Sequence, residues 1–170
     1  MTSTNKFILA IDLGTSGPKV AIFSTQGELI GSEFEETPVL LPPGGGAEQS
    51  PEVWWSAIEK AGKRLLAKGL VDNDDIVAIA STGQWSGTVP VDQDGKALGN
   101  AIIWMDSRGA PYIHKMFGGP LKVEGYALAK LLNWIRLTGG VPGNSGKDPI
   151  AHILYLEHVH PEIYQRTYKF

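Results

Sequence analysis

The chain has 170 residues, with 15 Lys and Arg against 18 Asp and Glu, a formal net charge of −3 and a pI near 5.8. That balance excludes a basic nucleic-acid binder, and 42% hydrophobic with 19% charged residues is too apolar for a disordered chain. Cysteine is absent, which removes disulfide frameworks and thiolate sites; apolar runs, such as residues 7–11 and 76–80, reach only five residues, too short for a membrane span or signal peptide. A cytoplasmic protein with a core of its own is the expectation.

In chain order, residues 7–11 are a continuous apolar run bounded by polar residues, the pattern of a central strand covered on both faces. The run ends at Asp12. After a turn through Leu13-Gly14-Thr15-Ser16-Gly17-Pro18, residues 19–24 are rich in β-formers, and Thr25-Gln26-Gly27-Glu28 leads into a third strand over 29–35, completing a meander. Residues 41–46 read as a loop. Ser50 is a good N-cap, Pro51 suits the first helical position and Glu52 complements the dipole of a helix that should reach about Lys68, with Gly69 just beyond. Trp54, Ile58, Ala61 and Leu65 share one face of it, while Trp55 is expected to cover a neighbouring loop.

Residues 76–80 form another apolar strand, followed by a polar segment over 81–87, residues 88–91 and a turn at Asp92-Gln93-Asp94-Gly95. Residues 101–104 are a further strand ending at Met105-Asp106. Polar residues thus stand where strands stop, the edge at which open α/β sheets bind ligands. Beyond Ser107, helices are predicted over 127–137, closed by Gly139-Gly140, and over 149–158. The aromatic, strand-like tail Tyr168-Lys169-Phe170 carries no cap, which gives the expectation of a chain cut inside a larger fold.

The segment 12–17 offers a carboxylate, two hydroxyls and two glycines, the parts that phosphate binding needs. Glycines let backbone N–H groups approach an anion, hydroxyls donate further bonds, and a carboxylate holds Mg²⁺ directly or through its waters. Lys19 adds positive charge. On spacing alone the same residues also make a plain hairpin turn whose Asp and Thr satisfy local donors.

Ile11-Asp12-Leu13-Gly14-Thr15-Ser16 resembles the first phosphate motif of the actin, heat-shock-chaperone and sugar-kinase superfamily. Glu48-Gln49-Ser50-Pro51 with Trp54-Trp55 is similar to the start of the first long helix in FGGY-type carbohydrate kinases. Residues 81–87 stand where xylulokinase-like members carry Gly-Gln-Met-His-Gly, and residues 101–108 resemble their Trp-x-Asp-x-Arg segment. The resemblance implies an α/β, ribonuclease-H-like (actin/hexokinase-type) domain over residues 1–170, with a mixed sheet of about five strands and flanking helices, incomplete at its end. A second, ATP-binding domain, the adenosine pocket and the catalytic base would lie beyond Phe170.

Carried over by the resemblance, Asp12 faces Mg²⁺ and the transferring phosphate, Gly14, Thr15 and Ser16 line the phosphate turn, and Lys19 matches a basic position after it. Gln84, Trp85 and Ser86 fall in the sugar-contacting segment, Trp104 packs on the sugar's carbon chain, and Asp106 and Arg108 offer hydroxyl contacts. ATP and Mg²⁺ are the implied cofactors and a ketose or polyol the implied substrate. The missing C-terminal domain is the implied partner, with homodimerisation left open and neither nucleic acid nor membrane expected. Trp85-Ser86 in place of Met-His puts D-xylulose itself in doubt. Residues 122–146 look like an insertion, and His152 stands where a lysine is usual.

Plainer readings stand beside these. Trp85 and Trp104 also fit as core aromatics, and Asp106 with Arg108 as a surface ion pair worth about 0–1 kcal/mol. His152 and His158 are six apart, on different helix faces, so the histidine-rich stretch has no zinc spacing. Residues 140–148 differ from a P-loop in glycine spacing, in having Asp148 where Ser or Thr is required and in following a helix. Alternatives from other classes are a non-catalytic sugar- or sugar-phosphate-binding module and an actin- or chaperone-like ATPase domain.

Overall fold

In this computed structural model, which describes residues 5–170, the strands are β1 (Phe7–Gly14), β2 (Gly17–Ser24), β3 (Leu29–Phe34), β4 (Glu48–Gln49), β5 (Ile76–Thr82), β6 (Ala101–Ile102), β7 (Lys122–Val123) and β8 (Tyr126–Ala127). The helices are α1 (Pro51–Ala67), α2 (Ala110–Met116), α3 (Leu128–Thr138), α4 (Pro149–Val159) and α5 (Pro161–Arg166). The chain divides into two compact units, one built from the residues up to Val39 and Gln49–Gln84, the other from Leu40–Glu48 and Trp85–Phe170.

The first unit holds a four-stranded mixed sheet in the order β3-β2-β1-β5, antiparallel except for the parallel pair β1 and β5. Alternation along β2 sends Val20 and Ile22 to one face, where they meet Leu9 and Ile11 of β1 and the buried Ala61 and Leu65 of α1. Each such aliphatic side chain contributes about 1.5–3 kcal/mol when fully buried. The helix α1 begins as its sequence dictates: the Ser50 hydroxyl accepts the Val53 N–H, Pro51 fills the first turn, and Gly69 follows the end at φ +61°. Arg64 donates to Glu33 at 3.0 Å, to Glu35 at 2.6 Å and to the Phe34 carbonyl at 2.7 Å, tying α1 to β3 by exposed bonds of modest individual worth.

Three expectations are corrected here. The sheet has four strands rather than about five, because Ala101–Ile102 pairs with β4 in a separate short ladder and does not join it. The strand β1 is covered by α1 on one face only; on the other, Ala10, Ala21, Phe23 and Leu29 line an open hollow of about 400 Å³ with Asp12 and Lys19 among its lining residues. The strand β5 forms at the sheet edge, where Val77 and Ile79 remain 58% and 70% exposed. Trp55 is 64% exposed, whereas Trp54 is half-buried.

In the second unit, Ile113, Phe117, Tyr126 and Ala151 make the core, with Phe117 meeting the edges of Tyr126 at 5.1 Å and Trp134 at 5.4 Å. Residues 122–146 fold as the β7–β8 hairpin and α3, which ends at Gly139 in the left-handed region with φ +78°. The helices α3 and α4 lie where predicted, while α2 and α5 were not foreseen; neither carries a side-chain N-cap bond to announce it. The tail pairs with Val91, whose N–H donates to the Lys169 carbonyl at 2.9 Å and whose carbonyl accepts from the Tyr168 N–H at 2.8 Å.

Candidate functional site

In the first unit, β1 and β2 form a hairpin whose last Cα partners are Gly14 and Gly17, leaving Thr15 and Ser16 as the two-residue turn. Gly17 sits at φ +140°, and a Cβ there would run into the Glu35 carbonyl, so this position needs glycine. The turn is braced from one side: the Ser16 carbonyl accepts from Thr37 at 3.0 Å and the Pro18 carbonyl from Glu35 at 3.1 Å. Asp12 is exposed and in register with Lys19 on β2 and Thr82 on β5, so the three share one sheet face. Among the described residues no three His, Asp or Glu side chains gather into a metal-holding cluster. A lone carboxylate nonetheless suits Mg²⁺, which keeps several waters and is commonly held by one or two carboxylates together with substrate phosphates.

Because β1 and β5 run parallel, their C-terminal ends deliver the turn and the segment after Thr82 to the same edge. There the Thr15 hydroxyl donates to Gln84 Oε1 at 3.3 Å, and Gln84 Nε2 donates to Gln49 Oε1 at 2.7 Å. Gln49 Nε2 in turn donates to the Thr15 carbonyl at 2.9 Å and lies 3.3 Å from both the Thr37 hydroxyl and the Pro38 carbonyl. Gln49, 1% exposed, was quoted in the sequence only as part of a helix-start motif; nothing but that motif marked it.

In the second unit, Trp85 is 84% exposed and Ser86 takes the left-handed conformation at φ +52°, a strained backbone for a non-glycine residue. Trp104 is 42% exposed. Asp106 and Arg108 are not a surface ion pair. Asp106 is 1% exposed: Oδ2 accepts from the Ala47 N–H and Arg108 Nε, each at 2.9 Å, and Oδ1 from the Arg108 N–H at 2.9 Å. The Arg108 guanidinium also donates to Glu48 at 2.6 Å and to the Tyr155 hydroxyl at 3.0 Å, and lies over the Tyr155 ring at 4.4 Å. Burial opposes its charge, but the bonds to Asp106 and Glu48 outweigh burial and hold the guanidinium above its ordinary range. Both oxygens of Asp106 and all three nitrogens of the guanidinium are thus engaged within the protein. Glu48 and Tyr155 were missed because their partner lies 60 and 47 residues away in sequence.

His152 on α4 is fully buried, with Nδ1 3.0 Å from the Thr88 hydroxyl and Nε2 without a hydrogen-bond partner. Burial holds the imidazole below its ordinary value of 6.5, partly offset by the charge and carbonyl of Asp106 and by Asp148. The unfolded ring therefore takes up a proton where the folded one does not, so stability is complete above about pH 6.5 and falls as the pH drops below it. Thermal unfolding between pH 7 and about 5.5 should show a melting temperature that declines with pH, by at most about 1.4 kcal/mol of stability per pH unit. In His152→Gln that decline should shrink; an unchanged decline would assign it to other groups.

A family model described as the N-terminal domain of the FGGY family of carbohydrate kinases matches residues 7–128. The chain belongs to the FGGY family of carbohydrate kinases. The matched span takes in the β1–β2 hairpin, α1, β5 and the segment through Arg108. The xylulose kinase of Bacillus subtilis (strain 168) is 33% identical over 141 residues, covering 77% of this chain and 28% of its own length. The glycerol kinase of Thermococcus gammatolerans is 31% identical over 159 residues, covering 88% of this chain and 32% of its own. Among solved structures, ligand-bound xylulose kinase from Lactobacillus acidophilus matches with a TM-score of 0.76 at 22% identity, over 95% of this chain and 30% of that one. A Brucella ovis structure described as a xyloylose kinase matches with a TM-score of 0.80 at 23% identity, over 95% of this chain and 31% of that one. These likenesses meet the expectation of an FGGY, actin/hexokinase-type fold. The chain spans 28% and 32% of the length of the two sequence relatives. No helix among the described residues is long and apolar enough to cross a membrane.

Proposed function

We propose that this chain supplies the phosphate turn and part of the sugar site of a cytoplasmic, ATP- and Mg²⁺-dependent kinase that phosphorylates a small ketose or polyol. The observation that carries the reading is the bond between Thr15 and Gln84, which joins the hairpin turn to the segment after β5 at one edge of the sheet. Family membership supports carbohydrate kinase chemistry, and relatives named as xylulose and glycerol kinases support a small ketose or polyol as the substrate.

In this reading the Asp12 carboxylate would hold Mg²⁺ through water, and the chemistry supplied by the bound ion would be neutralisation of phosphate charge. Gly14, Thr15 and Ser16 bind and orient the phosphate, and Lys19 adds positive charge on the face it shares with Asp12. Gln84 offers an amide to a sugar hydroxyl. Trp85, Ser86 and Trp104 provide the remaining sugar contacts, the two indoles through their exposed faces. Asp106 and Arg108, held in place by Glu48 and Tyr155, offer further contacts to sugar hydroxyls. Phosphoryl transfer relies on positioning and charge stabilisation, which suits so sparse a set of groups. The nucleotide pocket and the base on the acceptor hydroxyl are assigned to sequence of the kind the longer relatives possess.

The test is ADP release by the protein as expressed in its own cells, with D-xylulose, other ketopentoses and glycerol supplied in turn. One of these should raise ADP release at least about tenfold over ATP alone. Equal release with and without every sugar would favour an ATPase of the same superfold.

A further inference from the structure

The orientation of the three side chains around Gln49 is dictated by chemistry. The carbonyls of Thr15 and Pro38 can only accept, so the end of the Gln49 side chain facing them must be its NH₂. Gln49 Oε1 then faces Gln84, which must present its own NH₂ at 2.7 Å, and Gln84 Oε1 is left to accept the Thr15 hydroxyl proton. The result is a closed ring of hydrogen bonds, Thr15 to Gln84 to Gln49 and back to Thr15, in which reversing Gln84 would set acceptor against acceptor and reversing Gln49 would set its oxygen against two carbonyls and its NH₂ against that of Gln84. Gln49 is buried and anchors the ring from behind, whereas Gln84 is half-buried and Thr15 lies in the turn.

We propose that Gln49 is a positioning residue that couples sugar occupancy at Gln84 to the phosphate turn at Thr15, so that sugar and nucleotide bind cooperatively. This inference rests on the kinase reading above. Without sugar, the Thr15 hydroxyl proton is spent on Gln84 Oε1. A sugar hydroxyl that donates to that oxygen displaces it, and the Thr15 proton then turns to an anionic oxygen held in the turn. Gln49 makes the exchange directional, because it fixes which atom of Gln84 faces Thr15. Without it the Gln84 amide can turn over, and the state of one ligand no longer reaches the other.

The experiment measures the affinity of a non-hydrolysable ATP analogue by calorimetry, with and without D-xylulose or glycerol, in the natively expressed protein and in Gln49→Met. Unmodified protein should bind the analogue at least about fivefold more tightly when sugar is present, and the reciprocal effect on sugar should match. In Gln49→Met both ligands should still bind, with coupling reduced to within about twofold. Coupling that is absent from the unmodified protein, or survives unchanged in Gln49→Met, overturns the inference and leaves the kinase reading standing. Failure of both ligands to bind the unmodified protein overturns the kinase reading, and the coupling with it. Should Gln49→Met not fold, NMR of the unmodified protein decides: sugar alone should shift the Gln49 side-chain amide, and bound sugar with an unmoved Gln49 amide overturns the inference.

Discussion

Replacing Asp12 with asparagine is expected to lower phosphoryl transfer by about 10²–10³-fold while changing the melting temperature by no more than about 1–2 °C. The two readouts separate because of where the carboxylate sits. Asp12 is exposed at the end of β1, on the sheet face away from α1, and is in register with Lys19 and Thr82. No core contact depends on its charge, and surface substitutions of this kind stay within about 0.5 kcal/mol. In the proposed reaction the same charge would hold the Mg²⁺ ion, a contribution that the neutral isosteric amide would make far more weakly. Steady-state kinetics beside a thermal melt read both quantities. Full activity in Asp12→Asn would remove the residue from the metal site, and a large fall in melting temperature would give it a structural role.

Arg108→Met is expected to behave in the opposite way, destabilising the protein by about 3–5 kcal/mol, because it strands a buried carboxylate. Asp106 is 1% exposed and both of its oxygens are used; without the guanidinium, Oδ2 keeps only the Ala47 N–H and the charge loses its counter-ion. Arg108→Lys should recover only part of the loss, since an ammonium cannot reach Asp106, Glu48 and the Tyr155 hydroxyl in one fork. Denaturant titration of the two variants gives both values. A loss below about 1 kcal/mol in Arg108→Met would mean that the network behaves as a surface ion pair after all.

These two residues also mark how far the sequence could be read. Asp12 and the hairpin were visible because the information is local: an apolar run, a carboxylate at its end and glycines at the turn. The helix α1 was visible for the same reason, with Ser50, Pro51 and Gly69 as its punctuation. Arg108 was correctly singled out, but its role was not legible, because Glu48 and Tyr155 meet it only through the tertiary fold. The same holds for Gln49, whose Nε2 gathers partners from two separate stretches of chain, at Thr15 and at Thr37-Pro38. The misplaced fifth strand has a simple cause. Residues 101–104 have strand composition, but composition does not choose a partner, and Glu48–Gln49 captures Ala101–Ile102 in a ladder of its own.

The account turns on transfer of the γ-phosphoryl group of ATP to a sugar hydroxyl. It is tested most directly by ³¹P NMR of the natively expressed protein incubated with ATP, Mg²⁺ and whichever ketose or polyol stimulates ADP release. A new phosphomonoester resonance should grow in step with ADP, and in Asp12→Asn its growth should slow by about 10²–10³-fold. Growth of inorganic phosphate in step with ADP, with no sugar phosphate formed, would contradict it.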